Sequence, residues 1–167
     1  MAIESIARIG VIGAGRLGSA LVRALLEVGL GPIRIWSRSA GRADRLTASP
    51  MNVALMPGPQ DLVDQSDLVF VIVSDDAIAD LAASLNWRPG MKVVHCSGAL
   101  DRRVLQAAAA SGSEVGSFHP LQSFTEDSGA ASFRGISIAI EADPILAEAL
   151  VRLARSLGAT PVTLQEG

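Results

Sequence analysis

The feature that most restricts this chain is its rhythm. Short runs of Val, Ile and Leu alternate with longer stretches whose apolar residues recur at spacings of three and four. Short continuous runs suit strands buried on both faces, and the three-and-four spacing puts a single apolar stripe along a helix. Parallel strands need a crossover between them, so this alternation builds a mostly parallel sheet with helices over both faces. Strands are expected at residues 7–12, 33–36, 52–55, 68–73, 91–95, 114–118, 136–140 and 160–164. Helices are expected at 16–28, 40–48, 61–65, 76–85 and 100–110. A last helix starts at Asp143, an N-cap, with Pro144 in the first helical position, and stops at Gly158. Residues 123–132 turn small and polar and read as a loop. Composition agrees: 49% of residues are hydrophobic but only 4% aromatic, so the apolar mass is Ala, Val, Ile and Leu. The expected class is α/β, a doubly wound sheet in one domain over residues 1–167.

Within that rhythm, Gly13-Ala14-Gly15-Arg16-Leu17-Gly18 matches Gly-x-Gly-x-x-Gly between the first strand and the first helix. Alone the pattern is weak; directly after a strand and opening an amphipathic helix, it is the dinucleotide-binding turn of a Rossmann fold. Gly13 permits the tight turn, Gly15 lets backbone approach a pyrophosphate, and Gly18 lets helix pack on strand, while amides at the helix start hold the anion. An NAD-specific domain places an Asp or Glu about 20 residues further on, against the ribose 2′-OH. Here the second strand ends in Trp36-Ser37-Arg38-Ser39. Two hydroxyls and a guanidinium suit a 2′-phosphate, so the expected cofactor is NADP. The bland alternative makes Arg38 a solvated helix-start residue and Ser37 or Ser39 a cap. The missing acid also argues against a methyltransferase.

Other classes are disfavoured by composition. Net charge is −3 with Lys and Arg scattered, which leaves no basic stripe for a nucleic acid. The longest strand-like apolar run, 68–73, is far short of the roughly 18 residues that cross a bilayer. The first residues, with Glu4 and Arg8, do not resemble a signal peptide, and the single Cys96 rules out an internal disulfide framework. A soluble, cytoplasmic protein is expected, with no metal site.

Ligands of open α/β sheets lie beyond the carboxyl ends of the strands. Ser74-Asp75-Asp76, Cys96-Ser97-Gly98 and His119-Pro120-Leu121-Gln122-Ser123 fall there. Ser74, Asp75 and Ser97 join the glycine turn and Ser37, Arg38 and Ser39 as candidate cofactor contacts. Hydride transfer needs a group that exchanges a proton with the substrate, for which histidine is suited. His119 is the catalytic candidate because it leads a turn out of the sheet, although a histidine that merely fixes a loop fits equally well. His95 ends a buried strand and reads as a hydrogen-bonded core residue. Asp75 and Asp76 read as capping residues, and Cys96 as packing.

Four segments together resemble a known family: residues 10–18, Val73 to Ile78, His95-Cys96-Ser97-Gly98-Ala99-Leu100, and His119-Pro120-Leu121-Gln122-Ser123-Phe124. It is the Rossmann-like family that carries a C-terminal domain of unknown function 2520. That family is similar in fold to pyrroline-carboxylate reductases, prephenate dehydrogenases and 6-phosphogluconate dehydrogenase-like enzymes. The resemblance implies an NADP-dependent oxidoreductase with Gly13, Gly15 and Gly18 on the pyrophosphate and residues 37–39 near the adenosine phosphate. It implies no particular substrate. It further implies a helical C-terminal domain, absent from these 167 residues, that closes the cleft and forms a homodimer. Two functions are therefore carried forward: a reductase or dehydrogenase of a small carbonyl, imine or hydroxy compound, and a non-catalytic NADP-sensing module.

Overall fold

The computed structural model describes residues 8–47 and 52–164; Ala7 and Ala48, expected at the ends of the first strand and second helix, lie outside them. Among the described residues the strands are β1 (Ile9–Ile12), β2 (Ile33–Trp36), β3 (Val53–Leu55), β4 (Leu68–Val71), β5 (Lys92–His95), β6 (Glu114–Pro120), β7 (Ser137–Ala142) and β8 (Thr160–Thr163). They form one sheet in the order β3-β2-β1-β4-β5-β6-β7-β8. All neighbours are parallel except β6 and β7. The helices are α1 (Arg16–Glu27), α2 (Ala40–Thr47), α3 (Pro59–Asp64), α4 (Asp75–Ser84), α5 (Gln106–Ala110) and α6 (Pro144–Ser156). This is the doubly wound Rossmann fold expected from the sequence.

The apolar runs decide the layers. Every residue of β1 and β4 is buried, because both faces of these central strands are covered. Val11, Ile35 and Phe70 pack with α1, α2 and α6 residues such as Leu21, Leu25, Leu46 and Leu150 in one core. Ile12, Val69 and Val71 face the other way, onto Leu62 of α3, Ile78 of α4 and Ala108 of α5. Each fully buried Leu here contributes about 1.5–3 kcal/mol relative to an exposed one. The order reverses beside β1, whose neighbours are β2 and β4, and this switch point is where a crevice opens at the carboxyl ends of the strands.

Three expectations are corrected. β6 runs on to Pro120, past the expected end at Phe118, because antiparallel β7 pairs with it, His119 beside Ala139 and Pro120 beside Ile138. His119 therefore lies within the sheet and leads no turn out of it. The stretch expected as a helix at 100–110 begins as a 3-10 helix, Arg102–Leu105, where the Asp101 carboxylate accepts the Arg103 N–H at 2.8 Å. The loop expected at 123–132 contains a 3-10 turn, Ala130–Phe133, anchored by fully buried Phe133 against Phe124. The start of α6 is as expected, with Asp143 at the N-cap before Pro144; the Asp143 carboxylate takes Arg102 at 2.6 Å and no helix amide. Among the described residues no helix is long and apolar enough to cross a membrane.

Candidate functional site

The turn after β1 is held from both sides. The Gly13 N–H donates to the Trp36 carbonyl at the end of β2 (2.8 Å), and the Ile72 N–H donates to the Ile12 carbonyl (2.8 Å). Gly13 has φ +114°, and a Cβ there would lie 1.9 Å from the Ile72 carbonyl oxygen. A Cβ at Gly18 would lie 2.0 Å from the Gly13 carbonyl oxygen. Both glycines are thus required by the protein's own packing. Gly15 differs: a Cβ there would meet no protein atom within 4 Å. The space in front of it is open, and it faces the start of α1. Gly15 is the N-cap of α1, brings no capping side chain, and is followed by no acid in the first turn. The positive end of the helix dipole is left to whatever enters from outside.

Next to the turn, the end of β2 supplies hydroxyls and cations. The Ser39 N–H donates to Ser37 Oγ at 3.3 Å, so Ser37 does stabilise the chain reversal in the manner of a cap. Arg38 and Arg42 are exposed, and among the described residues no ion pair engages either. Arg42 sits in the first turn of α2, where no acid accompanies it. A cation beside a helix N-terminus opposes the dipole, so this position favours an incoming anion.

On the far side of the turn, Ser74 is the N-cap of α4, without a side-chain cap bond, and Asp75 and Asp76 occupy its first turn, where negative charge is favoured. Beyond β5, the Ala99 N–H donates to Ser97 Oγ at 3.1 Å, leaving the hydroxyl proton available. Cys96 is buried, and that burial pushes its thiol far above the ordinary thiol range, which removes it as a nucleophile.

These parts meet in one cleft of about 710 Å³, within the range of small-molecule sites. Eleven expected cofactor contacts line it: Gly13, Ala14, Gly15, Arg16, Leu17, Ser37, Arg38, Ser39, Ser74, Asp75 and Ser97. Gly18 does not, in keeping with its packing role. Trp36, Arg42, Ile72, Val73, Ala77 and Leu81 line it as well and were not expected. A second arginine four residues after Arg38, at a helix start, is the signal that could have found Arg42. Among the described residues no imidazole lines the cleft: His119 donates Nδ1–H to the Cys96 carbonyl at 3.1 Å, and His95 is fully buried behind Ser97. Arg16, on the rim, pairs with Glu126 of the loop after β6 at 3.3 Å.

Comparison with known proteins follows from this geometry. Residues 8–97 match the family described as NADP oxidoreductase, coenzyme F420-dependent. No curated protein matches the chain. Among solved structures, a protein of Bacteroides fragilis described as a candidate NADP oxidoreductase superposes with a TM-score of 0.85 at 24% identity, over 98% of this chain and 62% of its own. An imine reductase from Myxococcus stipitatus in complex with NADP+ gives a TM-score of 0.74 at 24% identity, over 94% of this chain and 54% of its own. The Thermotoga maritima protein TM1727 gives 0.66 at 27% identity, over 93% and 56%. The chain thus spans between about half and three-fifths of the length of these structures.

Proposed function

The chain belongs to the family of NADP oxidoreductases, coenzyme F420-dependent, and from that premise we propose that it is the NADP-binding part of an oxidoreductase acting on a small carbonyl, imine or hydroxy compound. The observation that carries this reading is the contrast among the glycines: Gly13 and Gly18 are needed by the fold, whereas Gly15 faces open space beside an uncapped helix start. A diphosphate fits there, against backbone amides of residues 14–17. Ser37, Arg38, Ser39 and Arg42 then surround the adenosine 2′-phosphate. The absence of an acid at the end of β2 supports NADP over NAD, since nothing among residues 37–39 would chelate a bare ribose diol.

The cleft runs past the ends of β2, β1, β4 and β5, and residues at those ends would hold the cofactor. Bound there, the reduced nicotinamide supplies a hydride. Ile72, Val73 and Leu81 offer it apolar surface that excludes water. Ser74, Asp75 and Ser97 border the reacting end, and the Ser97 hydroxyl can donate toward a ligand there. His119 was the sequence's candidate for proton exchange; its bond to the Cys96 carbonyl and its contact with Gly98 suit a positioning role better. The imine reductase likeness supports imines within the substrate class, and the relatives' greater length supports a further region that closes the cleft. The finer identity, the family carrying domain 2520, rests on residues 10–18, 73–78, 95–100 and 119–124 together, and a homodimer comes with it; a cytoplasmic location rests on the single Cys96.

The test is titration with NADPH and NADH, followed by NADPH oxidation across ketones, keto acids and cyclic imines with the full-length protein. Tight NADPH binding with turnover of at least one class is expected. Binding without turnover on any of them would favour a sensing module.

A further inference from the structure

Resting on this cofactor reading, we propose that His95 and His119 form a two-imidazole clamp that positions the Cys96-Ser97-Gly98 turn against the nicotinamide end of the cleft. Neither histidine lines the cleft, but Cys96 and Ser97 do, so both rings act through the turn between them.

Each of the three turn residues is held by an imidazole. The Ser97 N–H donates to His95 Nδ1 at 3.2 Å, and His95 Nε2–H donates to the Asp101 carbonyl at 3.1 Å. An amide can only donate and a carbonyl only accept, so His95 is fixed as the neutral ring with its proton on Nε2. His119 is fixed the other way round: its Nδ1–H donates to the Cys96 carbonyl. Its remaining edge lies against Gly98, where a Cβ would approach Nε2 to 2.4 Å. A glycine at 98 is what lets the ring come this close. The grips come from separate elements, β5 and β6, and the peptide between Cys96 and Ser97 is pinned at both its carbonyl and its amide.

A packing role alone would be filled by Leu. What Leu cannot do is accept the Ser97 amide or donate to the Cys96 carbonyl. Asn can do either, since its oxygen or nitrogen reaches the place of Nδ1. The two sites also differ in proton dependence. Burial holds the His95 imidazole below its ordinary value, against the opposing pull of the Asp101 carbonyl and of the Glu141, Asp75 and Asp101 carboxylates on β7, α4 and the turn before the 3-10 helix. A proton added at Nδ1 would remove the acceptor for Ser97 and loosen the turn.

The experiment uses two ligands that share one end: NADPH, and adenosine 2′,5′-bisphosphate, which reaches the arginines and the glycine turn but not Ser97. Both are titrated against the wild type, His95→Asn, His95→Leu, His119→Asn and His119→Leu. The Leu variants are expected to lose about tenfold or more in NADPH affinity, a difference of about 1.4 kcal/mol, with bisphosphate affinity unchanged. The Asn variants are expected to bind NADPH like the wild type. The wild type is expected to lose NADPH affinity, relative to the bisphosphate, as pH falls beneath the ordinary histidine value, and His95→Asn is expected to remove that extra loss; this readout stands even where a Leu variant does not fold. The clamp is overturned if the Leu variants bind NADPH normally, if both ligands weaken in parallel, or if His95→Asn keeps the wild-type pH profile. A wild type that binds neither ligand overturns the cofactor reading itself, and the clamp with it.

Discussion

The two ends of the cleft are built in opposite ways. At the β2 end the working groups are backbone amides at an uncapped helix start and two exposed arginines. At the β5 end they are one hydroxyl and one peptide, held by two imidazoles outside the cleft lining, His95 fully buried and His119 half-buried. In the proposed reading the first end recognises charge, and each of its two parts, residues 13–17 and 37–42, is a short run of sequence. The second end depends on position, and its supports come from residues up to 23 apart in the chain. Charge recognition tolerates an exposed, flexible side chain, since a guanidinium can find a phosphate from several rotamers. Positioning does not, which is why the Cys96–Ser97 peptide is hydrogen-bonded to both imidazoles.

Substitutions in the glycine turn are expected to have the largest effect. Gly13→Ala forces a positive φ on alanine and drives its Cβ into the Ile72 carbonyl; it should cost about 3 kcal/mol or more of stability and abolish NADPH binding, read by thermal melting and calorimetry. Gly15→Ala should leave the melting temperature unchanged and still weaken NADPH severely, because its Cβ enters only the ligand's space. Normal NADPH binding by Gly15→Ala would remove the diphosphate from that position.

Charge removal comes next. Arg38→Ala and Arg42→Ala should each weaken NADPH by about 1.5–3 kcal/mol, the worth of a hydrogen bond to a charged group, and leave NADH unchanged. A smaller, pH-dependent effect belongs to the β5 end. His95 has its folded pKa lowered below the ordinary 6.5, mainly by burial. Below 6.5 the unfolded chain takes up a proton that the folded chain resists, so stability is full above that value and is lost as pH falls beneath it. Denaturant melts at about pH 7 and about pH 5 should show this decline, and His95→Asn should flatten it. The smallest effect is expected on the rim. Arg16 and Glu126 are exposed, so Glu126→Gln should change stability by no more than about 1 kcal/mol. It should tighten NADPH slightly at low salt by releasing Arg16 toward the diphosphate, and the gain should vanish at high salt.

The same contrast explains what was legible in the sequence. β2 has its expected bounds, and Gly13 and Gly18 have the turn and packing roles read for them, because each depends on a few consecutive residues. The place of Arg38 on the cleft was legible for the same reason. Arg42 was not expected because it reaches the cleft from the first turn of α2, beyond the strand end that marks the site in sequence, although a cation at a helix start is a local signal. β6 was ended at Phe118 because only β7, some 20 residues later, extends it through the pairing of His119 with Ala139. That pairing turned the catalytic candidate into a residue within the sheet. The 3-10 turn at Ala130–Phe133 was hidden in a polar stretch, because what fixes it is one buried ring and not a pattern. The helix expected at 100–110 starts as a 3-10 helix because Asp101 caps it there. Hydrogen bonds between a side chain and a distant peptide carry no periodicity, so the clamp had no signature beyond the two histidines themselves.

The most direct test of the account is a side-by-side calorimetric titration of this chain with NADPH and NADH at one salt concentration. The account predicts saturable binding of NADPH at one site, at least about tenfold tighter than NADH. Equal affinity for the two, or no binding of either, would contradict it.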